Sequence, residues 1–171
     1  MNKSVLITGA SSGLGEDFAC LYAEKGYDLV LTARRESNLR SIASDLTSKY
    51  NISVAIIPAD LGEPQSPYKI FNFCEESNIK IDILINNAGY GLTGEFDKIS
   101  WEEHDTFINV LSTSAIALTR LFLPSMIDRK YGRVVNVSSV AAFAPYTNSG
   151  GMYIATKLML LKFSEMIHND Y

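Results

Sequence analysis

The sequence predicts an α/β fold, a doubly wound parallel sheet with helices on both faces. Short, continuous aliphatic runs alternate with helix-length segments along the chain, as in proteins whose strands are buried on both sides. Each gap between runs holds one helix, so consecutive strands are joined by right-handed crossovers and lie parallel. With 171 residues, 47% hydrophobic and 20% charged, residues 1–171 are expected to form one domain.

The predicted elements follow one another without a linker or an internal repeat. The aliphatic runs predict strands at 5–8, 29–32, 54–57, 83–85 and 134–137. Between them, helices are expected at 13–25, 37–50, 65–77, 101–129 with a break near Asn109, and from 152 to the end. Turn signals agree with these limits: Gly26 follows the first helix, Pro64 and Pro67 mark the third, and Gly132 precedes the fifth strand.

Composition excludes several classes of function. Fifteen basic against 19 acidic residues give a net charge of -4, which argues against nucleic acid and anionic membrane surfaces as partners. Cys20, Cys74, His104 and His168 lack metal-ligand spacing, so no metal site and reduced thiols are expected. No uninterrupted apolar run approaches ~18 residues, and glycines break up the N-terminal apolar segment. The sequence therefore predicts a cytoplasmic protein without a membrane-spanning helix or a signal peptide.

A glycine-rich turn follows the first predicted strand and opens the first helix. It comprises Thr8-Gly9-Ala10-Ser11-Ser12-Gly13-Leu14-Gly15. Glycines let backbone N–H groups approach a pyrophosphate, which the N-terminus of the helix also stabilises. The spacing differs from G-x-G-x-x-G, and no G-K-[ST] follows. A tight turn without a ligand is therefore the alternative.

Tyr153 and Lys157 predict a proton-transfer site. Four residues apart on a helix, the two side chains share one face. A nearby ammonium favours the phenolate form of tyrosine, which suits a general acid for a carbonyl or a general base for an alcohol. The alternative is an exposed helical pair without a catalytic role.

Five patches together resemble the short-chain dehydrogenases/reductases of the non-extended branch. They are T-G-x-x-x-G-x-G at 8–15, N-N-A-G at 86–89, Asn109 with Val110, Ser139, and Tyr153 with Lys157. The resemblance covers essentially the whole chain. It implies a Rossmann-like fold with strand order 3-2-1-4-5 and hydride transfer between a nicotinamide cofactor and a carbonyl or alcohol. Members of the family continue into two more strands, so the chain is expected to be C-terminally incomplete, with its fifth strand at the sheet edge.

The resemblance also implies catalytic roles. Tyr153 passes a proton to the substrate oxygen, and Lys157 supports the phenolate and holds the nicotinamide ribose. Ser139 orients the carbonyl, although Ser138 competes with it because successive side chains in a strand face opposite ways. Asn109 anchors a water-linked proton path, or is only a polar break between two helices. Three aromatic residues flank the site and either line it or serve packing: Tyr90, Phe143 and Tyr146.

The cofactor is predicted to be NADP(H) rather than NAD(H). A carboxylate after the second strand would hold a 2′-hydroxyl, but Ala33 stands there and Arg34 follows. A guanidinium suits a phosphate, and Ser11 adds a hydrogen bond. The alternative is that Arg34 and Arg35 are a solvated pair at a helix start, partly balanced by Glu36. The full set predicted to bind the cofactor is Gly9, Ser11, Ser12, Gly13, Leu14, Gly15, Arg34, Asp60, Leu61, Asn86, Ala88, Gly89, Tyr153 and Lys157.

Three functions remain open from the sequence. The first is an NADP-dependent oxidoreductase acting on a small carbonyl or alcohol, whose identity the sequence does not give. The second is a non-catalytic dinucleotide sensor on the same fold, and the third is a structural role for a truncated product. The apolar helices at 109–129 and 152–167 also predict a homodimer or homotetramer in the full-length protein.

Overall fold

The computed structural model describes residues 2–143 and 152–171. Its strands are β1 (Ser4–Thr8), β2 (Asp28–Ala33), β3 (Val54–Pro58), β4 (Ile81–Asn86) and β5 (Arg133–Asn136). They form one parallel sheet in the order β3-β2-β1-β4-β5. The predicted fold class and strand order are confirmed.

Helices connect the strands as the hydrophobic periodicity predicts. They are α1 (Leu14–Glu24), α2 (Glu36–Tyr50), α3 (Ser66–Glu76), α4 (Trp101–Ile108), α5 (Ser114–Asp128) and α6 (Met152–Asp170). Short 3₁₀ turns occur at Phe96–Lys98 and Val140–Ala142. The break predicted near Asn109 is a π-turn, Asn109–Thr113, which joins α4 to α5 without interrupting the helical segment.

The core has two halves because successive strand residues face opposite sides of the sheet. Val5 and Ile7 of β1 point to the side covered by α1 and α2, whereas Leu6 points to the side covered by α3 and α5. All three side chains are completely buried. Cys74 of α3 also lies in the second half, and burial raises the pKa of its thiol to about 12.

The fifth strand lies at the edge of the described sheet, where it pairs with β4. Helix α6 packs against β5, α4 and the π-turn, and buries Thr156, Lys157 and Leu160. Leu158 and Met159 remain 40% and 48% exposed on its outer side, so two neighbouring apolar side chains of α6 face away from the sheet.

Within residues 2–143 and 152–171, one helical segment, Trp101–Asp128, is long and apolar enough by length and composition to cross a membrane. Length and composition alone do not contradict the expectation that the chain has no membrane-spanning helix. An 18-residue stretch of this segment has a mean hydropathy of 1.5 although polar residues interrupt it. Of that stretch, 44% is buried within the fold. Core helices meet the same criterion, and here Leu118, Phe122 and Met126 pack against the sheet.

Candidate active site

A crevice opens where the carboxyl ends of β1 and β4 diverge, which is where ligands bind in open parallel sheets. The hydroxyl oxygen of Thr8 accepts hydrogen bonds from the backbone N–H groups of Asn87 (2.9 Å) and Ala88 (3.0 Å). In return, Asn87 Nδ2 donates to the Thr8 carbonyl at 2.9 Å. These bonds fix the turn after β1 against the segment after β4.

Two glycines of the turn after β1 pack too closely against neighbouring atoms to carry a side chain. Gly9 has a φ of +68°, and a Cβ there would lie 2.9 Å from the Ala88 Cα. A Cβ on Gly15 would overlap the Gly9 carbonyl and approach Asn87 Nδ2 to 2.7 Å. No described side chain caps the start of α1, so its first N–H groups remain free to bind an anion.

The outer part of the crevice, here called the arginine end, is lined by Ala33, Arg34, Arg35, Asp60 and Leu61, among others. Arg35 donates to Ser11 Oγ at 3.0 Å and to Ser12 Oγ at 2.6 Å. Sequence reasoning placed Arg35 outside the site, although its position directly after Arg34 was a usable signal.

The acidic residue next to these arginines bonds elsewhere. Glu36 forms its ion pair with Arg40, one helical turn further along α2. The suggestion that Glu36 balances Arg34 and Arg35 was therefore wrong. Within the described chain, the two guanidinium groups at this end have no recorded carboxylate partner.

Asp60 and Asn109 fix the loop after β3. Asp60 Oδ1 accepts from the Gly62 N–H at 2.9 Å, and Asn109 Nδ2 donates to the Gly62 carbonyl at 3.3 Å and to Asp105 Oδ2 at 3.2 Å. The Asn109 side chain thus ties the π-turn to this loop, and it is not among the described residues that line the crevice. Its part in a proton path stays a prediction.

The two asparagines of the N-N-A-G segment have different surroundings. Asn86 is buried, and its Nδ2 donates to Asn136 Oδ1 (2.8 Å) and to the Ala115 carbonyl (3.3 Å). It therefore joins β4 to β5 and α5, and any contact with a cofactor would have to come from its backbone. Asn87, which the sequence analysis did not select, lines the crevice.

The inner part, here called the tyrosine end, is lined by Leu14, Val137, Ser138, Tyr153 and Lys157, among others. Tyr90 lines both ends, as do Gly9, Ser12, Ala88 and Gly89, so the two ends form one continuous crevice. The fold therefore brings together most of the residues predicted to bind a cofactor: Gly9, Ser11, Ser12, Leu14, Arg34, Asp60, Leu61, Ala88, Gly89, Tyr153 and Lys157.

Lys157 is almost completely buried beside Tyr153. Its Nζ donates to the Val137 carbonyl at 2.8 Å and lies 5.9 Å from the centre of the Tyr153 ring. Burial lowers the pKa of the Lys157 ammonium below its ordinary value of 10.5. The predicted pairing on one helical face is confirmed, and the ammonium is held by a backbone carbonyl.

Replacing Lys157 with Met is expected to change stability in a pH-dependent way. Because the pKa of Lys157 is lower in the folded protein, the unfolded chain binds more protons between that pKa and 10.5. The stability of the wild type relative to Lys157→Met should therefore rise with pH through this window and stay constant below it. Urea unfolding of both proteins at neutral and alkaline pH measures the difference. Lys162→Met, an exposed lysine of the same helix, should not reproduce the rise, and a pH-independent difference would contradict the prediction.

The two serines after β5 face different partners. Ser138 lines the crevice, and its hydroxyl donates to the Lys157 carbonyl at 2.8 Å. Ser139 Oγ accepts from the Ala141 N–H at 3.1 Å and begins a 3₁₀ turn. Phe143, at the end of that turn, is 75% exposed, and Tyr146 lies outside the described residues. The choice of Ser139 as the substrate-orienting serine stays a prediction.

Comparison with known proteins agrees with this geometry. The family model for the short chain dehydrogenases matches residues 3–171. The chain therefore belongs to the short-chain dehydrogenase family. It is 34% identical over 170 residues to the NADP-dependent 3-hydroxy acid dehydrogenase of Schizosaccharomyces pombe, covering 98% of this chain and 65% of that protein. It is 33% identical over 171 residues to the serine 3-dehydrogenase of Rhizobium radiobacter, covering 99% and 66%.

Solved structures of the family superimpose closely on this fold. The short-chain dehydrogenase from Sphingobium yanoikuyae in complex with NADPH gives a TM-score of 0.92 at 34% identity, covering 98% of this chain and 65% of that one. The L-sorbose reductase from Gluconobacter frateurii, complexed with NADPH and L-sorbose, gives 0.92 at 29% identity, covering 99% and 64%. The chain thus spans about two thirds of the length of these relatives.

Proposed function

We propose that this chain is the cofactor-binding and catalytic portion of an NADP(H)-dependent oxidoreductase acting on a carbonyl or alcohol. The observation that carries the proposal is the continuous crevice, with two arginines at one end and Tyr153 with Lys157 at the other. NADP(H) matches this arrangement, because a dinucleotide phosphate is anionic at one end and reactive at the other. Bound NADP(H) would supply or accept the hydride, and the chain's own residues would do the rest.

At the arginine end, the proposed role of the protein is to recognise the 2′-phosphate. Arg35 already donates to the Ser11 and Ser12 hydroxyls, so each oxygen acts as an acceptor and keeps its own proton available for a phosphate oxygen. Arg34 lines the same end, and no carboxylate of the described residues forms an ion pair with it. Ala33 leaves the carboxylate position empty, which removes repulsion against the phosphate. These features favour NADP(H) over NAD(H).

At the tyrosine end, the proposed role is proton transfer. Tyr153 would give its phenolic proton to the carbonyl oxygen in reduction and take it back in alcohol oxidation. Lys157, as an ammonium near the ring, favours the phenolate that this exchange produces. Ser139 is the proposed donor to the substrate oxygen, because the hydroxyl proton of Ser138 is already donated to the Lys157 carbonyl. The glycine-rich turn after β1, with no side chain at Gly9, would let backbone N–H groups hold the pyrophosphate between the two ends.

Cofactor titration tests the proposal directly. Arg34→Ala and Arg35→Ala should each weaken NADPH binding about 10-fold to 150-fold, since a lost charge-assisted hydrogen bond costs about 1.5 to 3 kcal/mol. NADH binding should change much less. Fluorescence titration with both cofactors measures the ratio, and Arg40→Ala is the matched control because Arg40 is an exposed arginine of α2 paired with Glu36. Equal losses for NADPH and NADH would remove the assignment of the 2′-phosphate site.

Association through α5 and α6 remains part of the proposal. The outer side of α6 carries the exposed Leu158, Met159 and Met166, and α5 carries the exposed Ile127. These apolar side chains favour a homo-oligomer of the whole protein. The cytoplasmic location inferred from the sequence also remains a prediction.

A further inference from the structure

Two serine hydroxyls from different elements hold consecutive carbonyl groups of α6. Ser112, in the π-turn, donates to the Thr156 carbonyl at 3.2 Å. Ser138, in the loop after β5, donates to the Lys157 carbonyl at 2.8 Å. Both carbonyls lie in the turn of α6 that contains Tyr153 and Lys157. Thr156 Oγ1 in turn donates to the Tyr153 carbonyl at 2.9 Å, so the anchored turn includes both catalytic candidates.

The π-turn explains why Ser112 can reach α6. Residues five apart on a regular α-helix point about 140° away from each other, whereas a π-turn, with its i to i+5 hydrogen bonds, brings them onto one side. Phe107 and Ser112 are five apart across the π-turn, and both contact α6. The Phe107 ring lies 6.5 Å from the Tyr153 ring, and Ser112 bonds to Thr156. Both residues are completely buried.

Because Ser112 is buried, its hydrogen bond to the Thr156 carbonyl contributes to the stability of the fold. A buried hydroxyl without a partner destabilises the fold by about 1–3 kcal/mol, so the orientation in which Ser112 bonds to Thr156 is strongly preferred. Consecutive carbonyls on a helix are about 100° apart around its axis. Ser112 in the π-turn and Ser138 in the loop after β5 donate to these two carbonyls, and together they restrict how far α6 can rotate or slide.

We propose that Ser112 and Ser138 are positioning residues, a two-sided clamp that sets the rotation of α6 and thereby places Tyr153 and Lys157 against the crevice. At the outer radius of a helix, a rotation of about 10° moves a side-chain atom by roughly 1 Å. A displacement of that size lowers the rate of a proton or hydride transfer by up to about 10²-fold. This inference rests on the proposed function for its effect on rate, but its effect on α6 does not depend on turnover.

The test compares Ser112→Ala, Ser138→Ala and the double variant with Ser114→Ala. Ser114 is the matched control, because it is a buried serine of the same helical segment whose hydroxyl bonds to Val110 within that segment. Hydrogen–deuterium exchange of peptides covering residues 152–171 reports the freedom of α6. Steady-state kinetics with NADPH and a panel of aldehydes and ketones report kcat and KM.

The clamp predicts faster hydrogen–deuterium exchange in α6 for Ser112→Ala and for Ser138→Ala than for Ser114→Ala. It also predicts a fall in kcat of about tenfold or more with little change in KM for the carbonyl, since the reacting groups are misplaced rather than lost. Ser138→Thr keeps the hydroxyl and should restore both properties. Ser112→Cys, a close match in size and a weak donor, should lie between wild type and alanine, and it replaces the alanine variant if that protein does not fold.

Unchanged exchange in α6 for both clamp variants, relative to Ser114→Ala, would overturn the inference whatever the rates. A drop in kcat equal to that of Ser114→Ala would overturn its link to catalysis. If the wild type turns over none of the carbonyls, the proposed function fails, and the exchange comparison alone then decides whether the clamp exists.

Discussion

Replacing Tyr153 with phenylalanine is expected to lower turnover of any accepted carbonyl by about 10²-fold to 10⁴-fold, the usual loss when a general acid is removed. The change keeps the ring that packs beside Phe107 and removes only the transferable proton. NADPH binding should survive, because the arginine end of the crevice is untouched. Lys157→Ala should reduce both turnover and binding, since it removes the charge near the phenol and a proposed ribose contact.

Turnover of Tyr153→Phe is measured with cofactor saturating. Its affinity for NADPH is measured separately by titration. Tyr22→Phe is the matched control, because Tyr22 packs against Tyr27 near the end of α1, and it should behave like wild type. Near-normal turnover by Tyr153→Phe would show that the catalytic assignment is wrong. A wild-type protein that binds NADPH tightly but turns over no carbonyl would instead favour the dinucleotide sensor.

Gly15→Ala is expected to destabilise the protein and to abolish cofactor binding. Helix propensity alone predicts the opposite sign, since alanine stabilises a helix by about 0.8–1 kcal/mol relative to glycine. Here the new Cβ would overlap the Gly9 carbonyl and crowd Asn87 Nδ2, the donor that ties the segment after β4 to Thr8. Overpacking of this kind costs about 1–3 kcal/mol or more. The Gly9 carbonyl belongs to the backbone, so it cannot move aside as a flexible side chain would. The steric clash should therefore outweigh the gain in helix propensity, and Gly15→Ala should be less stable than the wild type.

Urea unfolding and NADPH titration measure the two effects of Gly15→Ala. Gly91→Ala is the control for stability, because a Cβ on Gly91 meets no atom within 4 Å. It should unfold at the wild-type urea concentration. A Gly15→Ala protein that is more stable than wild type and still binds NADPH would mean that α1 can move away from the turn after β1.

Much of the arrangement follows from local patterns. The aliphatic runs locate all five strands to within two residues of their ends, and the 3.6-residue periodicity locates the helices between them. The Tyr153–Lys157 pair needs only the helix to bring its members onto one side. The partners of the charged residues after β2 do not follow from local patterns. Adjacency suggested that Glu36 balances Arg35, but helical geometry pairs Glu36 with Arg40, and Arg35 reaches Ser11, 24 residues away.

The fold class, the family and the residue types at both ends of the crevice can be read from the amino-acid sequence, because they depend on periodicity and on short motifs. Three features become visible only in the packed structure: Asn87 rather than Asn86 turns its side chain to the crevice, Ser138 bonds to α6, and Ser112 bonds to Thr156. Those outcomes depend on contacts between residues 19 to 79 positions apart in the chain. Such contacts are set by how strands and helices pack, and the packing of distant elements leaves no periodic signal in the residues that make them.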